Sequence, residues 1–200
     1  MKTYEISGVE RESLGKKETK LLRSAGLVPC VIYGGEKVIH FSAEESAFKH
    51  AIYTPNVYIM NITIGENVVK AIIQDVQFHP VTDSLLHVDF LEINDTENVN
   101  IEIPVKLNGF AKGVAKGGKL QLSMRRLRVS GLLANLPDEL NIDVTDVELG
   151  KSIKVGELNF ENLDILNAKN AVVCTVKLTR AARAAAKEEK AAAAGGKKKK

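Results

Sequence analysis

Apolar and polar residues alternate along much of this chain, in short segments set close together. Alternation at period two marks strands with one covered and one open face. TYEISGVERE reads as a first strand. VPCVIYGGEKVIHFS reads as a hairpin turning at Gly34-Gly35, and NVYIMNITIGENVVKAIIQDVQF as a second one around Gly65-Glu66-Asn67. His79-Pro80 begins a connection, and LLHVDFLEI, Leu85 to Ile93, ends the series. On that last strand Leu86, Val88 and Phe90 are expected on one face and His87 and Asp89 on the other.

Two short helices interrupt the strands. In GKKETKLLRSAG, Lys16, Lys20 and Arg23 fall on one helix face, and Gly26 is placed to close the helix. Leu21, Leu22 and Ala25 are expected to pack on the body. SAEESAFKHAI carries Ser42 and Glu45 at capping-box spacing ahead of a helical stretch. Strands outnumber helices, and their spacing suits a small closed or nearly closed barrel.

The polar break Asp95-Thr96-Glu97-Asn98 marks a boundary between a domain of residues 1–95 and a second of residues 96–179. The second opens with the alternating strand NIEIPVKL, followed by the glycine-rich stretch GFAKGVAKGGKL, expected to be a loop. QLSMRRLRVSGLL has strand character around Arg125, Arg126 and Arg128; Arg126 and Arg128 share a face that can meet RNA, a neighbouring protein or solvent. LPDELNIDVTDVELGKSIKVGEL adds short strands and turns, and NAVVCTVKL closes a mostly β domain. Residues 180–200 are a low-complexity Ala/Lys tail. Its alanines favour helix, but an isolated helix of that length is marginal in water, so disorder is expected.

Composition sharpens this picture. Hydrophobic residues make up 44% of the chain, aromatics 5%, and Trp is absent, so the core is expected to be Val, Ile and Leu. Cys30 and Cys174 lie far apart in apolar runs and read as small buried hydrophobes. No cysteine pairing or spacing suggests a disulfide or zinc site. The net charge of +3 is unevenly distributed: residues 1–95 carry −4, residues 96–179 carry +1 and the tail +6. Binding of nucleic acid through bulk charge is thus disfavoured for the first domain. A basic site there must be local, and Arg11, Lys16, Lys17, Lys20 and Arg23 supply one against Glu12 and Glu18. No apolar leader or membrane-length run is visible, so a cytoplasmic protein is expected.

Enzyme chemistry finds little support. GVAKGGKL approaches the phosphate-loop pattern but ends in Leu120 where a hydroxyl should hold magnesium, and strand rather than helix follows. His40, His50, His79 and His87 stand in no metal-binding spacing. His87 and Asp89 share a face without a nucleophile beside them, and their tips need not touch. No catalytic residue, cofactor or metal is expected.

RNA fits better. Phosphates call for Lys and Arg; bases and riboses call for hydrogen-bonding and stacking groups. Lys16, Lys20 and Arg23 can face a backbone, Tyr33 can set a ring against a base or ribose, and Gln77, His87 and Asp89 can read polar edges. The same residues equally describe a solvated helix face and the polar side of a half-buried strand.

Ordered stretches resolve the choice. Arg11 with Gly15-Lys16, then LLRSAGLVPCVIYGG and QDVQFHPVTDSLLHVDFLEI, then GVAKGGKL and LRVSGLLANLPDELNIDVTDVELGKSIKVGEL cover roughly residues 3–178. In these the chain resembles the bacterial large-subunit ribosomal proteins that bind 5S rRNA, in their two-domain form, the general stress protein CTC family. The resemblance implies a six-stranded RNA-binding β-barrel followed by a second β-rich domain. It further implies 5S rRNA binding in the central protuberance, as a monomer among neighbouring ribosomal proteins. It implies RNA contacts at Arg11, Arg23, Tyr33, His87 and Asp89, with Lys16, Lys20, Gln74 and Gln77 behind them. Alternation places Gln74 on the Ile72/Val76 face, the less favourable one. Phe78 stands where many relatives have Arg, Leu21 where some have a second basic residue, and Asn141 where Pro is common. The first two departures suit the negative charge of this domain and predict a shallow salt dependence. The alternative is a β-rich interaction or stress-response module acting off the ribosome.

Overall fold

A computed structural model of the chain describes residues 1–94 and 96–179; the Ala/Lys tail lies outside the described residues. Two compact units result. One comprises Met1–Ile103 with Ser130–Asp138, the other Pro104–Val129 with the described residues from Glu139 onward.

The first unit contains β1 (Lys2–Glu10), α1 (Lys16–Ser24), β2 (Leu27–Tyr33), β3 (Ile39–Glu44), α2 (Glu45–Ile52), β4 (Tyr58–Ile64), β5 (Asn67–Phe78) and β6 (Leu85–Glu92). The six strands form a closed barrel in the order β1-β3-β2-β6-β5-β4, with β1 parallel to β4 at the closure. Closure leaves no strand edge unpaired. Inward residues alternate along each strand: Ile6 on β1, Val28, Cys30 and Ile32 on β2, Phe41 on β3, Met60 and Ile62 on β4, Val88 and Phe90 on β6. α2 adds Phe48 and Ala51 to this core, and the Phe48 and Phe41 rings both pack on Phe90, with centroids 6.3 and 5.7 Å away.

Two β-bulges interrupt the β5–β6 pairing. Ile73 faces Phe90 while Asp75 faces Asp89, so Gln74 is an extra residue on β5. Gln77 faces His87 while Phe78 faces Leu85, so Leu86 is an extra residue on β6. A bulge residue breaks the period of two. Consequently Leu85 is buried where Leu86 was expected, and Leu86 is only half-buried. On either side of the bulge on β5 the residues packed against the core are Ile73 and Val76, three apart, and Gln74 is exposed rather than turned to the covered side.

Two local expectations are corrected. Ser42 and Glu45 do not form a capping box: Ser42 is a buried residue of β3, and the N-cap of α2, Glu44, makes no side-chain cap. Glu45 instead accepts a hydrogen bond from the Leu85 backbone N–H through Oε1 at 3.2 Å. Nor does α1 bury an apolar face; none of its residues is buried, Leu21 and the following Ala25 are exposed, and Leu22 is half-covered. Its end is as expected: Gly26, at φ +76, follows the C-cap in the left-handed region that suits glycine.

The rest of the chain forms β7 (Asn98–Asn108), α3 (Lys112–Ala115), β8 (Lys119–Leu122), β9 (Arg126–Leu132), β10 (Leu140–Asp143), β11 (Ser152–Lys154), β12 (Asp164–Ile165) and β13 (Val172–Lys177). These make one sheet in the order β10-β7-β9-β12 and another in the order β11-β13-β8. A core of Ala111, Val144, Val147, Cys174 and Val176 lies in the second unit. The glycine-rich stretch expected as a loop holds the single turn of α3 and then enters β8. Its glycines serve packing: a Cβ on Gly118 would run into Val176, Leu149 and the Gly113 carbonyl. A strand follows Lys119, so nothing there resembles a phosphate loop.

Candidate nucleic-acid interface

Between the two bulges, the outer faces of β5 and β6 carry two directly opposed polar pairs, Asp75 with Asp89 and Gln77 with His87. Parallel pairing extends this surface to β2, where Val31 lies beside Asp89. Antiparallel pairing carries it on to β3, where His40 lies beside Val31. Arg11, just past β1, donates its backbone N–H to the His40 carbonyl at 2.8 Å. Inward residues fix the barrel wall, so the register decides which polar groups share its outside.

His87 and Asp89 do touch: Nδ1 lies 2.5 Å from Oδ1, with the two side chains 27% and 28% exposed. Nδ1 is shut off from solvent without a well-directed hydrogen bond, so the contact is electrostatic, with the N–H out of line. Asp75 spends one oxygen on its neighbour, accepting the Val76 N–H at 2.9 Å. Like charges directly opposite each other are unfavourable on a sheet, so the Asp75–Asp89 pair gains from any donor brought between them. Tyr33, half-buried at the end of β2, shares this field: burial first, then Asp89 and Asp75, hold its phenol above the ordinary range.

Arg23 ties α1 to this wall. Arg23 donates from Nε and Nη2 to the carbonyl of Leu86, at 3.0 and 2.9 Å. Leu86 is the bulge residue and directly precedes His87. The bulge frees a carbonyl that regular pairing would consume, and the guanidinium fork takes it twice. Lys16 and Lys20 are both exposed on the helix so anchored. Arg11 is half-buried; its Nε is enclosed without a hydrogen-bond partner, while Nη2 reaches the Ser13 carbonyl at 3.5 Å. Cations thus line the helix and carboxylates the wall.

The Ribosomal L25p family profile matches residues 6–90, and the profile of the C-terminal domain of ribosomal protein TL5 matches residues 98–180. A large ribosomal subunit protein bL25 of Porphyromonas gingivalis is 48% identical over 185 residues, covering 92% of this chain and 96% of its own. The bL25 of Phocaeicola vulgatus is 48% identical over 190 residues with the same coverage. That of Azobacteroides pseudotrichonymphae is 50% identical over 185 residues, covering 92% of this chain and 98% of its own. The chain belongs to the bL25 family.

In this bL25 member the expected site residues fall into three groups. Tyr33, Gln77, His87 and Asp89 lie together on or beside the outer wall of β2, β6 and β5. Lys16, Lys20 and Arg23 lie on α1, joined to that wall at Leu86. Arg11 borders the surface through His40, and Gln74 lies exposed at the bulge beside Asp75. Two neighbours, Asp75 and His40, were not among the expected contacts. Both were within reach of simple alternation, Asp75 from Gln77 and His40 from its apolar neighbours Ile39 and Phe41. Arg125, Arg126 and Arg128 are exposed, with Arg126 and Arg128 on the open face of β9. The Arg128 backbone N–H is bound to Asn167 Oδ1 at 2.7 Å. Among the described residues no group of three or more His, Cys, Asp or Glu is arranged to hold a metal ion. Nor is any helix among them long and apolar enough to cross a membrane.

Proposed function

We propose that this bL25 family protein is a structural component of the large ribosomal subunit that binds 5S rRNA in the central protuberance, using the outer wall of β2, β6 and β5 together with α1. The observation that carries this is the Asp75–Asp89 and Gln77–His87 quartet, bounded by two bulges and joined to a basic helix by Arg23. Residues 1–95 are the RNA-binding part in this reading.

The two halves of the surface call for different parts of the RNA. Lys16 and Lys20 suit phosphates. Carboxylates repel phosphates but accept hydrogen bonds from 2′-hydroxyls and base amines, the groups displayed in a shallow RNA minor groove. Tyr33 and His87 offer ring faces as well as polar tips. Arg11, Gln74 and Gln77 extend the same surface, so recognition rests on shape and edges with few phosphate contacts.

The test is a titration of the intact protein with 5S rRNA and a length-matched control RNA at two salt concentrations. Selective binding is expected. His87→Ala should weaken it by roughly fivefold to a hundredfold, the cost of removing a specific edge interaction of roughly 1–3 kcal/mol. Lys16→Ala with Lys20→Ala should instead flatten the salt dependence, by about 0.7–0.9 in slope for each phosphate no longer neutralised. Equal affinity for both RNAs would overturn the reading. The net charge of −4 on residues 1–95 favours the off-ribosome alternative. Failure of the protein to co-sediment with large subunits would establish that alternative.

A further inference from the structure

One row of the outer wall runs from its carboxylates to two basic side chains. β3 turns Phe41 and Ala43 into the core, so His40 faces outward. In register, Asp75 lies opposite Asp89, Asp89 beside Val31, and Val31 opposite His40. Cys30 and Ile32 flank Val31 from the core side, as Val88 and Phe90 flank Asp89, so these positions share the outer face. Glu10 pairs with Phe41, and the chain continues to Arg11, whose backbone N–H reaches the His40 carbonyl. Asp75, Asp89, Val31, His40 and Arg11 thus stand in one line across the wall.

The two ends of this line offer opposite chemistry. Asp75 and Asp89 accept hydrogen bonds, whereas Arg11 and His40 donate them. His40 is half-buried, and among the described residues neither of its ring nitrogens has a hydrogen-bond partner. Arg11 spends only a long contact on the Ser13 carbonyl, 3.5 Å from Nη2. The charges of Arg11 and Asp89 both act on the Cys30 thiol, in opposite senses, so they flank β2 from its two sides. Neighbouring strands lie about 4.8 Å apart, which sets His40 roughly 10 Å from Asp89 along the wall. That exceeds the screening length of ~8 Å at physiological ionic strength, so the carboxylates repel an anion at His40 only weakly.

We propose that His40 is a further RNA contact, donating a ring N–H to a backbone phosphate oxygen beside Arg11; this rests on the RNA-binding reading above. Continuity favours RNA as the occupant, because His40 lies on the same face and in the same register line as Asp89. Phosphate is the part of RNA suited to this end, since a guanidinium and an unpartnered ring donor stand together there. An imidazole carries an N–H in its neutral and its charged form, so the contact does not wait on protonation. Phosphate contacts position RNA without reading its sequence. His40 therefore adds affinity and fixes how the RNA lies across the wall, while the carboxylates at the other end take 2′-hydroxyls and base amines.

The experiment uses the intact protein, 5S rRNA and the variants His40→Ala, His40→Gln and His87→Ala. His40→Ala is expected to lose about tenfold in affinity, the scale of one hydrogen bond to a charged oxygen. His40→Gln keeps an N–H donor and should recover most of that loss. The chain has four histidines, so the His40 ring can be followed by nuclear magnetic resonance; its N–H signal should shift and exchange more slowly when 5S rRNA is added. Circular dichroism should show the barrel intact in every variant. Full affinity in His40→Ala with an unmoved ring signal, while His87→Ala still binds poorly, would overturn the His40 contact and leave the rest of the RNA wall standing. Weak binding in both His40 variants with a ring signal that ignores RNA would overturn it too, assigning the loss to packing of β3. Selective binding absent from the natural protein would overturn both readings.

Discussion

The guanidinium of Arg23 grips the backbone carbonyl of Leu86 with two N–H groups, Nε at 3.0 Å and Nη2 at 2.9 Å. This joins a helix without buried residues to the strand that carries His87 and Asp89. Arg23 therefore sets where Lys16 and Lys20 stand relative to the polar wall, in addition to any contact it makes itself. Arg23→Ala is expected to speed hydrogen exchange across α1 while β5 and β6 keep their protection. The loss of global stability should be small, about 1 kcal/mol or less for an exposed interaction. Unaltered exchange in α1 would show that Leu22 and the connecting backbone hold the helix alone.

Gln74 has a role that its side chain does not explain. As the extra residue of β5 it separates Ile73 from Val76 by three positions and sends Asp75 and Gln77 outward. Replacing it with Ala keeps the bulge and should leave thermal stability nearly unchanged. Deleting it restores strict alternation, which forces either Asp75 or a slipped register onto the core. The deletion variant should melt far below the substitution variant. Equal melting temperatures would mean that the bulge is not required by the pairing.

Cys30 lies on β2 among Val28, Ile32 and Val88, and its thiol is held far above the ordinary range. Burial is the main cause, and it outweighs the backbone hydrogen bond at Val88 and the charge of Arg11, which both lower it. The thiolate therefore forms first in the unfolded chain. Above the unfolded thiol value of about 8.5, the native state holds more protons than the unfolded one. Stability then falls as pH rises, by about 1.4 kcal/mol per pH unit from this group. Cys30→Ala should cost stability at neutral pH through poorer packing, yet show a shallower decline between about pH 8.5 and 10.5. Parallel stability curves for the two proteins would contradict this.

Asp143 titrates in the opposite sense. The Thr145 hydroxyl first, then the Thr145 N–H, hold its carboxyl below the ordinary range. Such a group stabilises the fold above the unfolded carboxylate value of about 3.9. The contribution fades as pH falls through the lower folded value. Thr145→Val removes the hydroxyl, so the natural protein should exceed it in stability near pH 7, with the gap narrowing at acid pH. A gap independent of pH would assign the difference to packing.

Much of this protein is written in its residue pattern. Period-two runs located the six barrel strands, Gly26 ended α1, and Gly34-Gly35 and Gly65-Glu66 turned the hairpins, because these features depend on neighbours in sequence. The order of motifs carried the family, and alternation alone put His87 and Asp89 on one face. The two bulges were not legible, since an extra residue is defined only against the partner strand. That is why alternation alone misplaces Leu86 and Gln74. Ser42 and Glu45 had the spacing of a cap, but pairing of β3 inside the barrel claimed Ser42 and the Leu85 N–H claimed Glu45. The apolar residues of α1 suggest a buried face, whereas the helix buries none of its residues and is tied to the wall by an arginine 63 positions away from the carbonyl it binds. Sequence set the periodicity, and with it which residues form strands. Only the closed barrel, where each strand's register is fixed by its two neighbours, decided which polar groups meet on the outer wall.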